Sequence, residues 1–335
     1  MKTIVKVLLI ALIVPVLNQC KKEPESINIK DDNFLNALIE LGIDKNDDST
    51  ISSSEAEGVT YLDVSSKNIS DLTGIELFIN LDTLFCWGNQ LSELDISKNS
   101  RLSFLACFEN QLTSLNISKN NRLLIINCGW NQLTNLDISN NSSLTELRCW
   151  ANQLTSLDIS DNIALKIMNC ESNLLTDLDV SNKSFLTELS CRSNQLTNLH
   201  VSNNPALTFV DCINNQLTNL DLSNSTALAQ LWCSANQLAS LDVSNNTALG
   251  ELYCNDNKLT SLDVLNNTAL THLWCSENLL ASLDVSNNTA LGILDCSSMP
   301  SLSKVCVWTM PFPPADITVD TTGSPIVYFT MECSK

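Results

Sequence analysis

Apolar and polar residues follow one short pattern that recurs along most of the chain. Between residues 81 and 96, apolar side chains stand at positions 81, 84, 86, 91, 94 and 96. The Leu84-Phe85-Cys86 step has the two-residue period of a β-strand, so Leu84 and Cys86 should point inward while Phe85 points outward. One such coil cannot bury its inward residues alone, and the pattern therefore predicts stacked coils that share a core.

Cysteine marks the repeat length. It occurs at positions 86, 107, 128, 149, 170, 191, 212, 233, 254, 275 and 296, which are ten consecutive intervals of 21 residues. Asn stands three residues after each of these from Asn89 to Asn278, before Met299 takes the place. An inward bend leaves backbone groups that an amide can satisfy, so this Asn column is predicted to be structural. One earlier coil carries Val64 in the Cys position, which makes twelve coils.

The frame resembles the L-x-x-L-x-[L/C]-x-x-N-x-L signature of leucine-rich repeats over about residues 59–303. It is most similar to the Cys-bearing 21-residue repeats of Bacteroidetes surface proteins. The resemblance implies a right-handed solenoid with a parallel concave β-sheet of about 12 strands. The alternation at Leu94 and Ile96 predicts an extended or turn-like convex side with little helix. Asn-rich corners such as Asn245-Asn246 are expected to take left-handed conformations where glycine is scarce.

The cysteine column has two interpretations, disulfides or buried thiols. Parallel in-register strands place equivalent Cβ atoms about 4.8 Å apart and pointing the same way, wider than the usual disulfide spacing of about 3.5–4.5 Å. We therefore expect free, buried thiols. Cys306 and Cys333 break the period within residues 304–335, where proline and two apolar runs predict a β-rich C-terminal cap, and the sequence leaves their pairing open.

The N-terminus carries features of export. Residues 1–19 have two Lys and an apolar run, as in a secretory signal peptide. The Leu17-Asn18-Gln19-Cys20 junction resembles a bacterial lipobox, which implies lipidation at Cys20, and residues 20–30 resemble the charged tether of Bacteroidetes surface lipoproteins. We expect a protein anchored in the outer membrane by lipid only, on the cell surface or the periplasmic face. The alternative is a cleaved soluble protein in which Cys20 is trimmed.

Residues 31–58 predict a helical cap with a calcium-type loop. Apolar residues at helical spacing predict a helix over residues 33–43 that seals the first coil. The following loop resembles an EF-hand or dockerin loop, although Ser49 replaces the usual Gly. The resemblance implies one structural Ca²⁺, with ligands at Asp44, Asn46, Asp48, Thr50, Ser52 and Glu55. The alternative is a loop that keeps the shape and holds no ion.

Aromatic residues concentrate at positions that the repeat turns outward. The chain has only six Trp, three Tyr and nine Phe, and most stand beside the Cys column rather than in the leucine positions. Exposed Trp adds no burial on folding but offers a partner a large apolar plate with an N–H donor, so we expect a ligand face. Its residues form a first patch and a second patch: Phe85, Trp87, Phe104, Phe108, Trp130 and Trp150, then Phe209, Trp232, Tyr253, His272 and Trp274. The alternative is cross-strand ring stacking that only stiffens the sheet.

Composition and charge narrow the function. A net charge of -19 argues against a nucleic-acid partner. Eight Gly and two His offer little for phosphate loops or zinc sites, so we expect no enzyme. We call the eleven cysteines of the 21-residue series the ladder cysteines. An Asp stands nine residues after most of them, and this column of Asp either gathers cations weakly or makes local turn hydrogen bonds. The sequence predicts a non-enzymatic binding or adhesion protein with a protein or peptide partner. The alternative is a carbohydrate-binding lipoprotein for polysaccharide capture.

Overall fold

The computed structural model describes residues 28–324 and 327–333. Within this part, the chain forms a continuous β-solenoid, as the repeat predicts. The expected signal peptide and the lipidation site at Cys20 lie outside the described residues. No helix in the described part is long and apolar enough to cross a membrane.

One long parallel sheet runs the length of the solenoid. From Thr83–Phe85 to Ile293–Asp295, each strand pairs in register with its equivalent 21 residues later, so that Leu84 lies opposite Leu105. The first step, from Tyr61 to Thr83, is 22 residues, and the last step, from Ile293 to Thr318, is 25. Among the described residues this sheet has thirteen strands, one more than the twelve predicted coils, because the segment after the last repeat adds Thr318–Asp320 at its end. In chain order the strands are Tyr61–Asp63, Thr83–Phe85, Phe104–Ala106, Ile125–Asn127, Glu146–Arg148, Ile167–Asn169, Glu188–Ser190, Phe209–Asp211, Gln230–Trp232, Glu251–Tyr253, His272–Trp274, Ile293–Asp295 and Thr318–Asp320.

The opposite side of the solenoid is extended or turn-like, as predicted. Leu94 and Ile96 point inward without belonging to a strand. Short parallel strands form there in only two places within the described part: Asp177–Asp179 with Asn198–His200, and Ser282–Asp284 with Lys304–Cys306 and Tyr328–Thr330. A single 3-10 turn, Ile75–Leu77, is the other regular element of the described repeats.

Leucine and cysteine fill one unbroken core. Leu84 and Cys86 have no exposed surface, and the apolar cluster runs from Phe34 to Val307. All eleven ladder cysteines are buried and unpaired, which confirms the thiol interpretation. Burial raises the pKa of the Cys86 thiol to about 12, because the thiolate would lose its hydration inside an apolar core.

The Asn column satisfies the backbone at each inward bend. Asn152 donates from Nδ2 to the carbonyl oxygens of Cys128 and Cys149, each at 3.1 Å, and accepts the backbone N–H of Leu133 at 2.9 Å. The same arrangement recurs in successive coils, for example at Asn173. This confirms the predicted structural role of the column, because each amide ties its own coil to the one before it.

A second Asn column, which the sequence analysis missed, lines the opposite corner. Asn120 has no exposed surface and donates to the carbonyl oxygens of Ile96 and Asn99, both at 2.9 Å. The column starts at Asn99 and is broken by Lys183 and Ser225. The Lys183 ammonium occupies the amide position and donates to Ile159 O at 2.7 Å, although its side chain is buried.

Left-handed residues stand two positions after each ladder cysteine. At ten non-glycine residues from Glu109 to Ser298, φ lies between 46° and 59°, and Gly88 takes the same conformation. The Asn-rich corner takes a left-handed conformation at Asn182, Asn203 and Asn224, which confirms the expectation there, but neither Asn245 nor Asn246 is among the left-handed residues of the described chain. Asn246 is held in a right-handed turn instead, with its N–H on Val243 O and its amide on Ser225 O.

Both ends of the solenoid are capped. The predicted helix spans Asp32–Glu40, and the Asp31 carboxylate joins it to the first coil by accepting N–H groups of Phe34 and Ser70. A second short helix, Ser53–Glu57, follows the calcium-type loop. At the other end Cys306 and Cys333 form a disulfide with Cα atoms 5.7 Å apart, which resolves the pairing that the sequence left open.

Candidate functional site

The aromatic side chains lie on the solvent side of the long sheet, outside the core. Leu231 and Cys233 are buried, whereas Trp232 between them is only half-buried. Trp130 is 55% exposed and Trp274 is 37% exposed. We call this surface the aromatic face; it comprises Tyr61, Phe85, Trp87, Phe104, Phe108, Trp130, Trp150, Phe209, Trp232, Tyr253, His272 and Trp274.

The first group of rings covers the N-terminal coils. Trp87 stacks on Phe108 with centroids 5.1 Å apart and planes 5° apart. Trp150 lies 5.7 Å from Trp130 and rests over Gly129, where an added Cβ would fall 2.5 Å from the indole. The absence of a side chain at Gly129 therefore leaves the space that the Trp150 indole occupies. We call these rings, with Phe85 and Phe104, the N-terminal cluster.

The second group forms a continuous stack on adjacent strands. Trp232 and Tyr253 lie 5.3 Å apart with planes 4° apart, and Tyr253 and Trp274 lie 4.5 Å apart with planes 9° apart. Phe209 closes one end by meeting Trp232 edge-on at 4.9 Å. We call Phe209, Trp232, Tyr253 and Trp274 the C-terminal cluster. His272 lies on the strand of Trp274, where its Nδ1 is 2.9 Å from the Thr271 hydroxyl.

Charged side chains separate the two clusters. The Arg148 guanidinium pairs with Glu146, and the Ser190 hydroxyl donates to Glu171 at 3.3 Å. Asp211 was missed by the sequence analysis and is only 5% exposed. Burial raises the pKa of Asp211, while the N–H of Ile213 and the charge of Arg192 act in the opposite direction. The sequence carried a signal for it, since Asp211 stands directly before Cys212 in a column of face residues.

Ring contacts within each cluster match the stacking alternative that the sequence left open. Stacking between the rings does not bury them fully, because the side chains of Trp130 and Trp274 remain exposed to solvent. Exposed apolar plates held by a rigid sheet are the side chains that carry most of the energy in protein interfaces. A binding role for these residues therefore stays a prediction that the geometry permits.

Hydrogen bonds among its own residues hold the calcium-type loop, residues 44–55. Ser49 adopts φ 63° at the position where glycine is usual, and its N–H donates to the Asp44 carboxylate at 2.9 Å. Asp48 accepts the N–H of Thr50 at 2.9 Å, and Asn46 Oδ1 accepts the N–H of Asp48 at 3.1 Å.

The Glu55 carboxylate closes the loop. It accepts the N–H of Lys45 at 2.7 Å and the N–H and hydroxyl of Ser52 at 2.8 and 2.7 Å. Hydrogen bonds from Ser52 and Lys45 outweigh its desolvation and lower the pKa of Glu55. The donor set of carboxylate, amide and carbonyl oxygens suits Ca²⁺, provided that the ion replaces these N–H partners of Glu55.

The Asp column makes local turns. Asp242 Oδ1 accepts the N–H of Ser244 at 2.9 Å, and the same bond recurs at Asp95, Asp137 and Asp158. The Ser244 hydroxyl and N–H together lower the pKa of the Asp242 carboxylate. These bonds favour the turn interpretation over a cation-collecting surface.

Comparison with known proteins identifies the family. A model of the LVIVD repeat matches residues 123–150, little more than one coil. The functional domain of InlJ from Listeria monocytogenes, described as including a cysteine ladder, is 34% identical with a TM-score of 0.67 over 83% of this chain and 69% of that one. The chain belongs to the leucine-rich-repeat family.

Other solved structures share the fold of this leucine-rich-repeat protein. The internalin InlF from Listeria monocytogenes has a TM-score of 0.70 at 18% identity, over 91% of this chain and 96% of that one. The ectodomain of the plant receptor kinase GASSHO1/SCHENGEN3 from Arabidopsis thaliana, solved with CASPARIAN STRIP INTEGRITY FACTOR 2, has a TM-score of 0.54 at 20% identity, over 80% and 37%. No curated protein matches the chain. At 18% and 20% identity, the last two likenesses concern the fold alone.

Proposed function

We propose that this leucine-rich-repeat protein is a non-enzymatic binding or adhesion protein of the bacterial cell envelope. Its partner is a protein or peptide that lies along the aromatic face. The observation that carries the proposal is the placement of Trp130 and Trp274, which stay broadly exposed on a sheet whose core is already filled by leucine and cysteine. Surface plates of this kind gain burial only when a partner covers them.

Relatives solved as complexes support this partner class. The plant ectodomain is described in complex with CASPARIAN STRIP INTEGRITY FACTOR 2, and the related LRIM1 and APL1C were solved as a complex. An extended sheet presented by stacked coils suits a long, shallow contact with a polypeptide.

The proposal places the protein in the outer membrane, held by lipid on Cys20. The support is the lipobox-like Leu17-Asn18-Gln19-Cys20 and the charged tether that follows it. Mass spectrometry of the membrane fraction tests this placement. A diacylated N-terminal Cys20 is the expected result, and an unmodified N-terminus from a soluble fraction would contradict it.

A structural Ca²⁺ in the loop from Asp44 to Glu55 is the second part of the proposal. The left-handed Ser49 supports it, because this residue allows the sharp turn that calcium loops of this type require.

Site-specific photo-cross-linking on intact cells tests the binding face. Benzoylphenylalanine replaces Trp130 in one variant and Asp242, on the flank, in the other. A protein adduct that forms from the face position and not from the flank is the expected result. Equal adducts from both positions, or a chain that captures only glycans from an array, would contradict a protein partner at this face.

A further inference from the structure

The open end of the C-terminal cluster differs from its other end. The rings of Trp232, Tyr253 and Trp274 are nearly parallel and lie on successive strands. Because neighbouring strands are about 4.8 Å apart, planes stacked at this spacing must face along the solenoid axis. One face of Trp274 is covered by Tyr253, and its other face is directed at the next coil.

The next coil presents a carboxylate instead of a ring. Asp295 is the in-register partner of Trp274, and Asp320 is the in-register partner of Asp295. The Asp295 carboxylate is held in place, since Oδ2 accepts the Ser276 hydroxyl at 2.8 Å and Oδ1 accepts the Ser297 N–H at 3.0 Å. An uncovered indole face therefore stands beside a fixed anionic group.

Negative charge dominates this part of the face. From Gln230 to Asp320, the face positions of the long sheet and the residues directly after them carry five carboxylates and no Lys or Arg. Lys258 follows Asp256 by two residues, and its ammonium donates to the Gln237 side chain at 3.1 Å. The carboxylates belong to Glu251, Asp256, Glu277, Asp295 and Asp320. The N-terminal cluster is less negative, because two carboxylates, Glu109 and Glu146, stand there with one guanidinium, that of Arg148.

We infer that the Trp274 face and Asp295 bind an arginine side chain from an extended basic segment of the partner protein. We call the space between the open Trp274 face and the Asp295 carboxylate the arginine slot. A guanidinium can stack on an indole and pair with a carboxylate at the same time, so it fits both groups of this slot. A sugar ring also stacks on indole and its hydroxyls can donate to carboxylates, but a neutral sugar does not neutralise the negative charge of this surface as a guanidinium does. The inference rests on the proposed function and names the chemistry of the partner at one end of the face.

Calorimetry on the full chain with a short peptide of alternating Arg and Gly tests the slot. The citrulline counterpart of the same peptide, which keeps the shape and loses the charge, is the ligand control. We expect the Arg peptide to bind at least tenfold more tightly than the citrulline peptide. Trp274→Ala should weaken Arg-peptide binding about tenfold, which corresponds to a cation held over an indole.

Further variants distinguish binding between Trp274 and Asp295 from attraction by net charge and from a folding defect. Asp295→Asn should weaken binding about fivefold, while Asp242→Asn, which removes the same charge from the flank, should change it less than twofold. Trp150→Ala, in the other cluster, should also change it less than twofold. Thermal unfolding by circular dichroism checks that each variant folds, and Trp274→Leu keeps apolar bulk if the alanine variant does not.

Equal losses in Asp295→Asn and Asp242→Asn would overturn the inference, because attraction would then come from net charge alone. Binding of the citrulline peptide or of a neutral oligosaccharide as tightly as the Arg peptide would overturn it as well. The cross-linking experiment tests the proposed function independently of the arginine slot. Partner adducts from the Trp130 position together with no Arg-peptide binding would remove the arginine slot and leave the proposed function intact.

Discussion

The buried cysteine ladder predicts that the protein loses stability steeply in mild alkali. Eleven thiols are buried in the folded chain, and burial holds their pKa well above 9.0, for example at about 12 for Cys86. In the unfolded chain the same thiols ionise near their ordinary pKa. A pKa raised by folding contributes stability that is complete below the unfolded value and is lost as the pH rises toward the folded value.

The magnitude follows from counting thiols. At pH 10 an unfolded thiol with a pKa of 9.0 is about ten parts thiolate to one part thiol, which lowers the free energy of the unfolded state by about 1.4 kcal/mol. Eleven thiols together remove about 15 kcal/mol, as much as the whole free energy of unfolding of many proteins. This loss of unfolding free energy at pH 10 is nearly the same for any folded-state thiol pKa above about 11.

Urea unfolding followed by circular dichroism between pH 7 and pH 10, in oxygen-free buffer, measures this loss. The free energy of unfolding should be level to about pH 8 and then fall with growing slope. A triple variant with Cys128, Cys149 and Cys170 replaced by Ala should show a slope reduced by about a quarter. A free energy of unfolding that changes by less than about 2 kcal/mol from pH 8 to pH 10, or a triple variant with the parent slope, would refute the reasoning.

Three further predictions concern single positions. Asn152→Ala leaves the N–H of Leu133 without the amide oxygen that accepts it and removes the bonds from the Asn152 amide to three carbonyl groups. The free energy of unfolding should therefore fall by about 3 kcal/mol in urea titration, while Asn140→Ala, at an exposed position, should change it by less than about 0.5 kcal/mol. Lys183→Asn replaces a buried ammonium with the amide that the second Asn column has at this position, and it should raise the free energy of unfolding by about 1 kcal/mol. A fall in the free energy of unfolding in the same titration would contradict the view that Lys183 substitutes for a column Asn. Calorimetry of the metal-stripped protein should show heat on adding millimolar Ca²⁺ and none in Glu55→Ala, and a parent protein that also gives no heat would mean an ion-free loop.

Sequence periodicity was sufficient to predict the solenoid. The 21-residue spacing of cysteine sets the parallel register directly, because each coil must place Leu84 and Cys86 equivalents on the same inward face. The short helix that seals the first coil followed from apolar spacing for the same reason. The thirteenth strand, Thr318–Asp320, escaped prediction because it carries no Cys and lies outside the repeat.

Contacts between side chains were less predictable. The second Asn column was visible as composition, but only the structure shows that Asn120 is buried and donates to two carbonyl groups of the preceding coil. The burial of Asp211 on the face was also missed, because the repeat fixes direction and not how much neighbouring rings cover. Where the rings lie was predictable, but the parallel stack that leaves one side of Trp274 open depends on rotamers that periodicity does not determine.

The in-register pairing makes each 21-residue segment an exchangeable unit of length. Removing or duplicating one whole coil keeps every Leu, Cys and Asn opposite its equivalent, so the solenoid grows or shrinks by about 4.8 Å without a change of core. Trp150 and Phe209 are separated by three such steps, or about 14 Å along the axis. Recombination within the middle coils would thus change the distance between the N-terminal cluster and the C-terminal cluster and leave each cluster unaltered.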